Sequence, residues 1–375
     1  MFFIYSINVS LYGEVAELAE GTTLLTWQGV KSLGGSNPLL SAIDLAGSSY
    51  NETDKSMSTN FNCYHFVPAN RLNFLEKIVN YKQFPNFKII IDLEDSIIDI
   101  NNVENTKILK SLARKHLIEN ASLLKGFSYF IRINTPDSIY YEEDKRVIKF
   151  FSSYKHKPMG LVISKTKSKR DLEIVNDYLE QIDFKNLILI PLIELKESIY
   201  NLEDIINYKN VSKIIFGHHD YFHDTGMFPI PDSIIDSEQY RTIVKNIFNI
   251  IDNKNIEYID GIHPLLDDSE NLKNTCDYLY NLYSNNSFGK LSVHIKQIET
   301  IVNFSPSNKK VFLNNKDTMS NNNKYLFANE IISYYENRDK NRGITKMNNR
   351  YVSPQMYLEA KKFIKEYEME SNLSS

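Results

Sequence analysis

The chain has little of what a disulfide scaffold, a membrane protein or a nucleic-acid binder requires. Its 375 residues include only two cysteines, Cys63 and Cys276. That is too few for a disulfide framework and fits a reducing, cytoplasmic setting. No apolar run approaches the ~20 residues of a membrane span. The opening Met1–Phe2–Phe3–Ile4–Tyr5 lacks the basic start and long apolar core of a signal peptide. Neither charge sign dominates: 43 Lys and Arg face 47 Asp and Glu, a net charge of −4. Electrostatics therefore points to neither nucleic acid nor a membrane surface. No glycine-rich turn of the GxGxxG or P-loop type is present, which removes the usual mark of a nucleotide-binding sheet. The length allows one large core, or a core plus an appendage.

Composition breaks near Met57. Upstream, Gly, Ala, Leu, Ser and Thr abound and the single tryptophan, Trp27, occurs; downstream, Asn, Lys, Ile and Tyr prevail. The stretch from Gly13–Glu14–Val15–Ala16–Glu17–Leu18 to Gly34–Gly35–Ser36–Asn37–Pro38–Leu39–Leu40–Ser41–Ala42 resembles a conceptually translated transfer-RNA gene. Residues 1–56 are thus expected to be a non-native or disordered extension, with Met57 as the natural start. The alternative is an arm that packs on the following domain or on a partner.

From Met57 onward, strand-like and helix-like segments alternate. Strands are expected at Tyr64–Pro68, Lys88–Glu94, Tyr129–Asn134, Gly160–Lys165, Leu187–Glu194, Lys213–Asp220, Tyr258–Ile262 and Lys290–His294. Helices are expected at Arg71–Tyr81, Val103–Leu117, Ser168–Leu179, Leu195–Ile206, Glu238–Asp252 and Ser269–Leu282. Eight β segments with intervening helices predict a (β/α)8 barrel, a TIM barrel, over residues 57–312; an open doubly wound sheet is the alternative. Lys324–Glu336 and Pro354–Glu370 read as helices, so residues 313–375 are expected to form a C-terminal helical extension.

The most informative stretch is Lys88–Ile89–Ile90–Ile91–Asp92–Leu93–Glu94–Asp95. A continuous apolar run marks a strand buried on both faces, and α/β folds place their chemistry at strand C-terminal ends. Those ends carry Asp92, Glu94 and Asp95, then Arg132 and Asn134, Lys165, Glu194 and Asp220. Two carboxylates from separate strands, with water and substrate oxygens, suit Mg²⁺, a hard ion that keeps open positions. An Arg on the same rim offers a fixed fork to a carboxylate or a developing enolate. A lone strand-end Asp is more often a helix N-cap; it is the accumulation of acids around one Arg that points to a site.

These segments resemble the citrate lyase β-subunit and the related malyl-CoA and citramalyl-CoA lyases. Phe66–Val67–Pro68–Ala69–Asn70–Arg71 resembles the family's FVPGNR strand, with Ala69 in place of glycine. Asp92–Leu93–Glu94–Asp95 resembles its DLED motif and Arg132–Ile133–Asn134 its R-x-N strand. Ile193–Glu194 and Phe216–Gly217–His218–His219–Asp220 stand where the family has IE and FG-x-x-D. Phe288–Gly289–Lys290, His294, Gln297–Ile298 and Phe304–Ser305–Pro306 resemble its G-K…IHP-x-Q-I…FSP signature. The resemblance implies a Mg²⁺-dependent carbon–carbon lyase or aldolase. It would cleave a 3-hydroxyacyl-CoA-like substrate to a 2-oxoacid and an acyl thioester through a metal-stabilised enolate. It makes Glu194 and Asp220 the metal ligands and Arg132 the enolate-stabilising group. Asp92 and Glu94 hold metal-bound water or orient Arg132. Arg71 and Lys165 are assigned to the phosphates or pantetheine arm, and Asn134 joins them as a substrate-binding residue. A homotrimer or hexamer is implied, with C-terminal helices crossing to a neighbour.

The chain also departs from the family. A C-terminal G-x-M-x-D-x-P segment there supplies an acid to the neighbouring site. Here Asn348–Asn349–Arg350–Tyr351–Val352–Ser353–Pro354 puts Val352 or Ser353 at that position, and neither is an acid. Ile295 and Ser164 replace family prolines. Two other readings therefore stay open: a catalytically silent barrel acting as a subunit or binding partner, and a pyruvate-type aldolase acting on a sugar-acid without CoA. His218, His219 and His223 around Asp220 suggest a transition-metal site. In a strand–loop setting, however, neighbouring histidines point to opposite sides. His294 is expected to hydrogen-bond rather than catalyse.

Overall fold

Strands of Ile, Val, Leu and Phe alternate with amphipathic helices, and the sheet they form closes on itself. The computed structural model describes residues 61–99, 102–226, 228–229, 231–282, 287–307, 319–337, 345–347, 350–352 and 354–373. The strands are β1 (Phe61–Pro68), β2 (Phe87–Asp92), β3 (Tyr129–Ile133), β4 (Gly160–Ile163), β5 (Ile188–Ile193), β6 (Lys213–Phe216), β7 (Glu257–Ile262) and β8 (Phe288–Ser292). Each pairs in parallel with the next, and β8 pairs with β1, giving a closed eight-stranded barrel. The outer helices are α1 (Val103–Glu119), α2 (Tyr141–Ser153), α3 (Lys169–Gln181), α4 (Lys196–Tyr200), α5 (Leu202–Ile206), α6 (His218–Asp224), α7 (Glu238–Ile251), α8 (Ser269–Leu282) and α9 (Ile295–Val302). This is the expected (β/α)8 fold. Helices α10 (Asn321–Asn337) and α11 (Pro354–Leu373) form the expected C-terminal helical extension, with short strands β9 (Thr345–Met347) and β10 (Arg350–Val352) between them. Residues 1–56 and Ser353 lie outside the described residues. No helix among the described residues is long and apolar enough to cross a membrane.

Period-2 alternation sorts the strand residues into two cores. Tyr64, Ile90, Phe130, Val162, Ile190, Leu192, Ile215, Ile259 and Leu291 form one buried cluster, with at least one residue from each strand. They fill the barrel. The alternate residues, such as Ile89, Ile91, Ile131 and Leu161, join the helices' apolar faces in the larger outer core. Two residues beyond the inner layer, the same register reaches Phe66, Asp92, Arg132, Ser164, Glu194 and Gly217. The barrel's inward face thus turns from apolar to charged in one step at the strand C-terminal ends.

Several boundaries differ from expectation. Arg71–Tyr81 is not an α-helix. It is two 3-10 segments, Ala69–Glu76 and Val79–Gln83, with Arg71 itself non-helical at φ −135°, ψ 38°. Asn70, Asn73 and Asn80 there favour turns over a regular helix. Leu195–Ile206 is split into α4 and α5. The strand expected over Lys213–Asp220 stops at Phe216, and His218–Asp224 is helical, with Asp220 in the first turn where the helix dipole favours an acid. Helices α2 and α9 were not among the expected segments.

Truncating the inner layer tests this division. Phe130→Ala is expected to cost about 3–5 kcal/mol, because Phe130 is fully buried. Ile108→Ala, on the exposed side of α1, is expected to change stability by under ~0.5 kcal/mol. Chemical denaturation of both variants measures the contrast, and similar losses would contradict the assigned inner core.

Candidate active site

Asp92 ends β2 and Arg132 is its register partner on β3. Arg132 donates from Nε to Asp92 Oδ1 at 2.6 Å and from Nη2 to Oδ2 at 2.7 Å. The backbone N–H groups of Glu94 and Ser96 donate to the same two oxygens at 2.9 and 3.0 Å. Burial opposes ionisation of Asp92, but Arg132 and these donors outweigh it and hold the carboxyl below its ordinary range. Both oxygens of Asp92 thus brace the Arg132 guanidinium. The guanidinium lies 4.6 Å above the Phe66 ring and 3.2 Å from Glu94. Its Nη1 also lies 3.8 Å from Asp95 Oδ2, so the guanidinium faces three carboxylates.

Lys165 follows β4 and adopts φ +49°, the left-handed region that an L side chain rarely occupies. This conformation lets one residue serve two strands. Its backbone N–H donates to Glu194 Oε1 at 2.7 Å. Its Nζ reaches Glu94 at 2.5 Å and Asp95 at 3.1 Å. Burial, then the charge of Asp95, raises the Glu94 carboxyl to about 7. Asp95 is held low because Lys165 and Arg132 outweigh its own desolvation. The two adjacent acids thus titrate as a pair, Glu94 raised and Asp95 lowered.

Glu194 follows β5 and is fully buried. Asp220, in the first turn of α6, is within hydrogen-bonding reach of it. Burial first, and then the facing carboxylate, raises Glu194 well above the ordinary range; Asp220 is raised by burial and by Asp95. Gly217 makes the pair possible, because a Cβ there would meet Glu194 Cβ and Oε2 at 2.9 Å. A buried Glu194 against a half-buried Asp220, near Lys165 and Arg132, fits an oxygen-preferring divalent cation that neutralises both acids. Among the described residues no three His, Cys, Asp or Glu side chains form a metal-holding group. A two-carboxylate site suits Mg²⁺, which retains water or substrate oxygens, and does not suit zinc.

A buried network lies behind this rim. Lys110 of α1 donates to Leu93 O, Glu94 O and Asn134 Oδ1 at 3.0, 2.7 and 3.0 Å. The backbone N–H and Nδ2 of Asn134 both donate to Asp144 Oδ2 at 2.7 Å, and Asp144 Oδ1 accepts from Arg114 at 2.8 Å. Asn134, expected as a substrate contact, has its amide engaged by Lys110, Leu93 O and Asp144. Arg71 lies after β1, in the 3-10 segment Ala69–Glu76. Lys110, Arg114 and Asp144 were not singled out from sequence. Their signal was present, since Lys110 and Arg114 fall on the buried stripe of α1 with Thr106, Ala113 and Leu117.

The histidines divide. His218 and His219 are consecutive in a helix, which corrects the strand–loop expectation. His219 Nε2 is 3.1 Å from Ile262 O, and His218 lies 3.8 Å from Asp260. His223 pairs with Glu359 of α11. His294 caps α9 through Nδ1, accepting from Lys296 N at 3.4 Å. Val352 is buried in the extension with Ala328, Ile331, Met347 and Met356.

Residues 64–281 match the model of the HpcH/HpaI aldolase/citrate lyase family. The chain belongs to this family. A citrate lyase from Burkholderia xenovorans is similar at 16% identity and a TM-score of 0.54, with 83% of this chain and 92% of that one covered. CitE from Mycobacterium tuberculosis, in complex with magnesium, acetoacetate and coenzyme A, is similar at 15% identity and a TM-score of 0.51, covering 81% and 97%. The same protein with magnesium and acetoacetate gives 16% identity and 0.51, covering 67% and 94%. At these identities the likeness shows the fold. Comparison with curated proteins finds no match.

The carboxylate pair has a consequence for stability. A carboxyl raised in the folded state favours folding while protonated. Its contribution is present below about pH 4.5, the ordinary Glu value, and is lost as pH rises through the folded-state value. Glu194→Gln, in EDTA-treated protein, is expected to raise Tm by roughly 2–4 °C at pH 8 and to leave it unchanged at pH 4. Thermal unfolding by circular dichroism checks this, and no gain at pH 8 would contradict the strained pair.

Proposed function

We propose that the chain is a Mg²⁺-dependent carbon–carbon lyase that converts a 3-hydroxyacyl thioester, of the CoA-ester type, into a 2-oxoacid and an acyl thioester. The observation that carries this is the Glu194–Asp220 pair beside a braced Arg132 on one barrel rim. Family membership supports the reaction class, and the magnesium, acetoacetate and coenzyme A bound by the tuberculosis protein support the ligand classes. Glu194 and Asp220 would hold Mg²⁺, which when bound supplies charge neutralisation and chelation of a 2-oxoacid. Arg132 would stabilise the oxygen on which negative charge develops as the carbon–carbon bond breaks. Asp92 fixes the guanidinium plane, and Glu94, bridged by Lys165, limits its swing. Lys165 and Arg71 line the rim for the charged arm of the substrate. Asn134 joins Lys110 and Asp144 in positioning the Asp92–Asp95 loop. We carry forward a homotrimer or hexamer as the assembly.

One observation favours a second reading. Val352 is buried in its own chain's extension, so this position presents no acid to a neighbouring site. A non-CoA sugar-acid substrate or a silent barrel would explain that loss.

The test combines binding with product release. Mg²⁺ is expected to raise Tm in the native protein and not in Asp220→Asn. A screen of CoA esters and sugar-acids for pyruvate, glyoxylate or oxaloacetate release separates the readings. Release from CoA esters alone supports the thioester lyase, and release from sugar-acids supports the aldolase. Magnesium binding without any release supports the silent barrel. With an active substrate, Arg132→Lys is expected to lower kcat about 10²–10³-fold, as for loss of a preorganised oxyanion donor, while the Mg²⁺ response is retained.

A further inference from the structure

Helix α6 carries Asp220 and is fixed on several sides. Asp224 Oδ2 accepts from the backbone N–H of Lys196, two residues beyond Glu194, at 2.7 Å. His219 contacts Ile262 O at the end of β7. His223 Nδ1 lies 2.8 Å from Glu359 Oε1 on α11. His223 is three residues after Asp220, so both side chains project over adjacent parts of one helical face.

The C-terminal extension is held to the barrel near this helix. Phe228, shortly after α6, packs on Phe327 and Phe363 with ring centroids 6.2 and 5.5 Å apart. Arg350 pairs with Asp232 and bridges Leu265 beyond β7. Glu359 is therefore delivered by an anchored element of the same chain. Its side chain is only 10% exposed, whereas that of His223 is 35% exposed. A largely buried acid thus holds one ring nitrogen, and the histidine keeps access to solvent. The hydrogen bond that His223 donates to Glu359, aided by the charges of Glu359 and Asp220 and opposed by burial and Lys362, raises the His223 pKa above its ordinary value.

We propose that His223 is the proton-transfer residue of the mouth and that Glu359, reaching it in cis from the C-terminal extension, is its positioning residue. The inference rests on the lyase reading above. With Nδ1–H donated to Glu359, the neutral imidazole presents the Nε2 lone pair. Nε2 takes the proton of the substrate hydroxyl, whose O–H electrons become the second bond of the 2-oxoacid carbonyl. The carbon–carbon bond breaks, and its electron pair passes to the acyl fragment as an enolate facing Arg132. Nε2–H then returns the proton to the enolate carbon. Atoms and electrons balance with no oxidant or further reactant. The acid absent at Val352 is then not required, because Glu359 reaches His223 from another part of the extension.

The test uses acetyl-CoA as the probe. Deuterium exchange into its methyl group in D2O with Mg²⁺ is followed by proton NMR across pH. The native enzyme is expected to exchange, with the rate rising as His223 loses its proton. His223→Gln is expected to slow exchange about 10²–10⁴-fold with the Mg²⁺ midpoint unchanged. Glu359→Gln should move the rising limb to lower pH, together with the His223 titration read by imidazole NMR, and Glu359→Asp should restore it. A structural clamp would change Tm without moving the limb. Exchange by a folded His223→Gln within about threefold of native, or an unmoved limb in Glu359→Gln, overturns the dyad and leaves the lyase reading intact. No exchange by the native enzyme at any pH overturns the lyase reading, and the dyad falls with it.

Discussion

Five carboxylates crowd two cations at the mouth of this barrel, and the rest of the local structure manages that imbalance. Asp92, Glu94, Asp95, Glu194 and Asp220 surround Arg132 and Lys165. Each acid is inserted where burial opposes its charge. Arg132 settles Asp92 by a two-pronged pair. Lys165 settles Glu94 and Asp95 with its ammonium and touches Glu194 with its backbone. The acid excess is left at Glu194 and Asp220, and it is there that a divalent cation fits.

The scaffold positions these groups by simple means. Strand periodicity carries Asp92, Arg132 and Glu194 into the barrel immediately beyond an apolar layer. The missing Cβ of Gly217 leaves room for the Glu194 carboxylate. The left-handed turn at Lys165 is a local backbone cost that places one residue between two acid clusters. Behind the rim, Lys110 satisfies three neutral acceptors without adding to the acid cluster's own ion pairs. Asn134 and Asp144 complete a buried network in which each member has partners, as a low-dielectric interior demands.

Much of this was legible in the sequence, for identifiable reasons. The triple isoleucine before Asp92 marked a strand buried on both faces, and the alternation of elements marked the barrel. The acids and Arg at strand ends marked the rim. The lone-residue assignments were less secure because spacing gives a strand end but not a hydrogen-bond partner. Asn134 reads as a rim residue, yet Asp144 and Lys110, brought in by α2 and α1, absorb its amide. His218 and His219 read as strand continuation, yet Gly217 ends β6 and turns them into a helix. Glu359 carried no local signal at all, since only the packing of the extension on the barrel brings it to His223.

The central claim is that Glu194 and Asp220 hold a divalent cation beside Arg132. Crystals soaked with Mn²⁺ and pyruvate test it most directly, because manganese gives an anomalous signal and takes the oxygen ligands of magnesium. The account requires a single strong anomalous peak beside the Glu194 and Asp220 carboxylates, with pyruvate bound next to Arg132. A peak at the histidines, or none at this pair in crystals that show bound pyruvate, would contradict it.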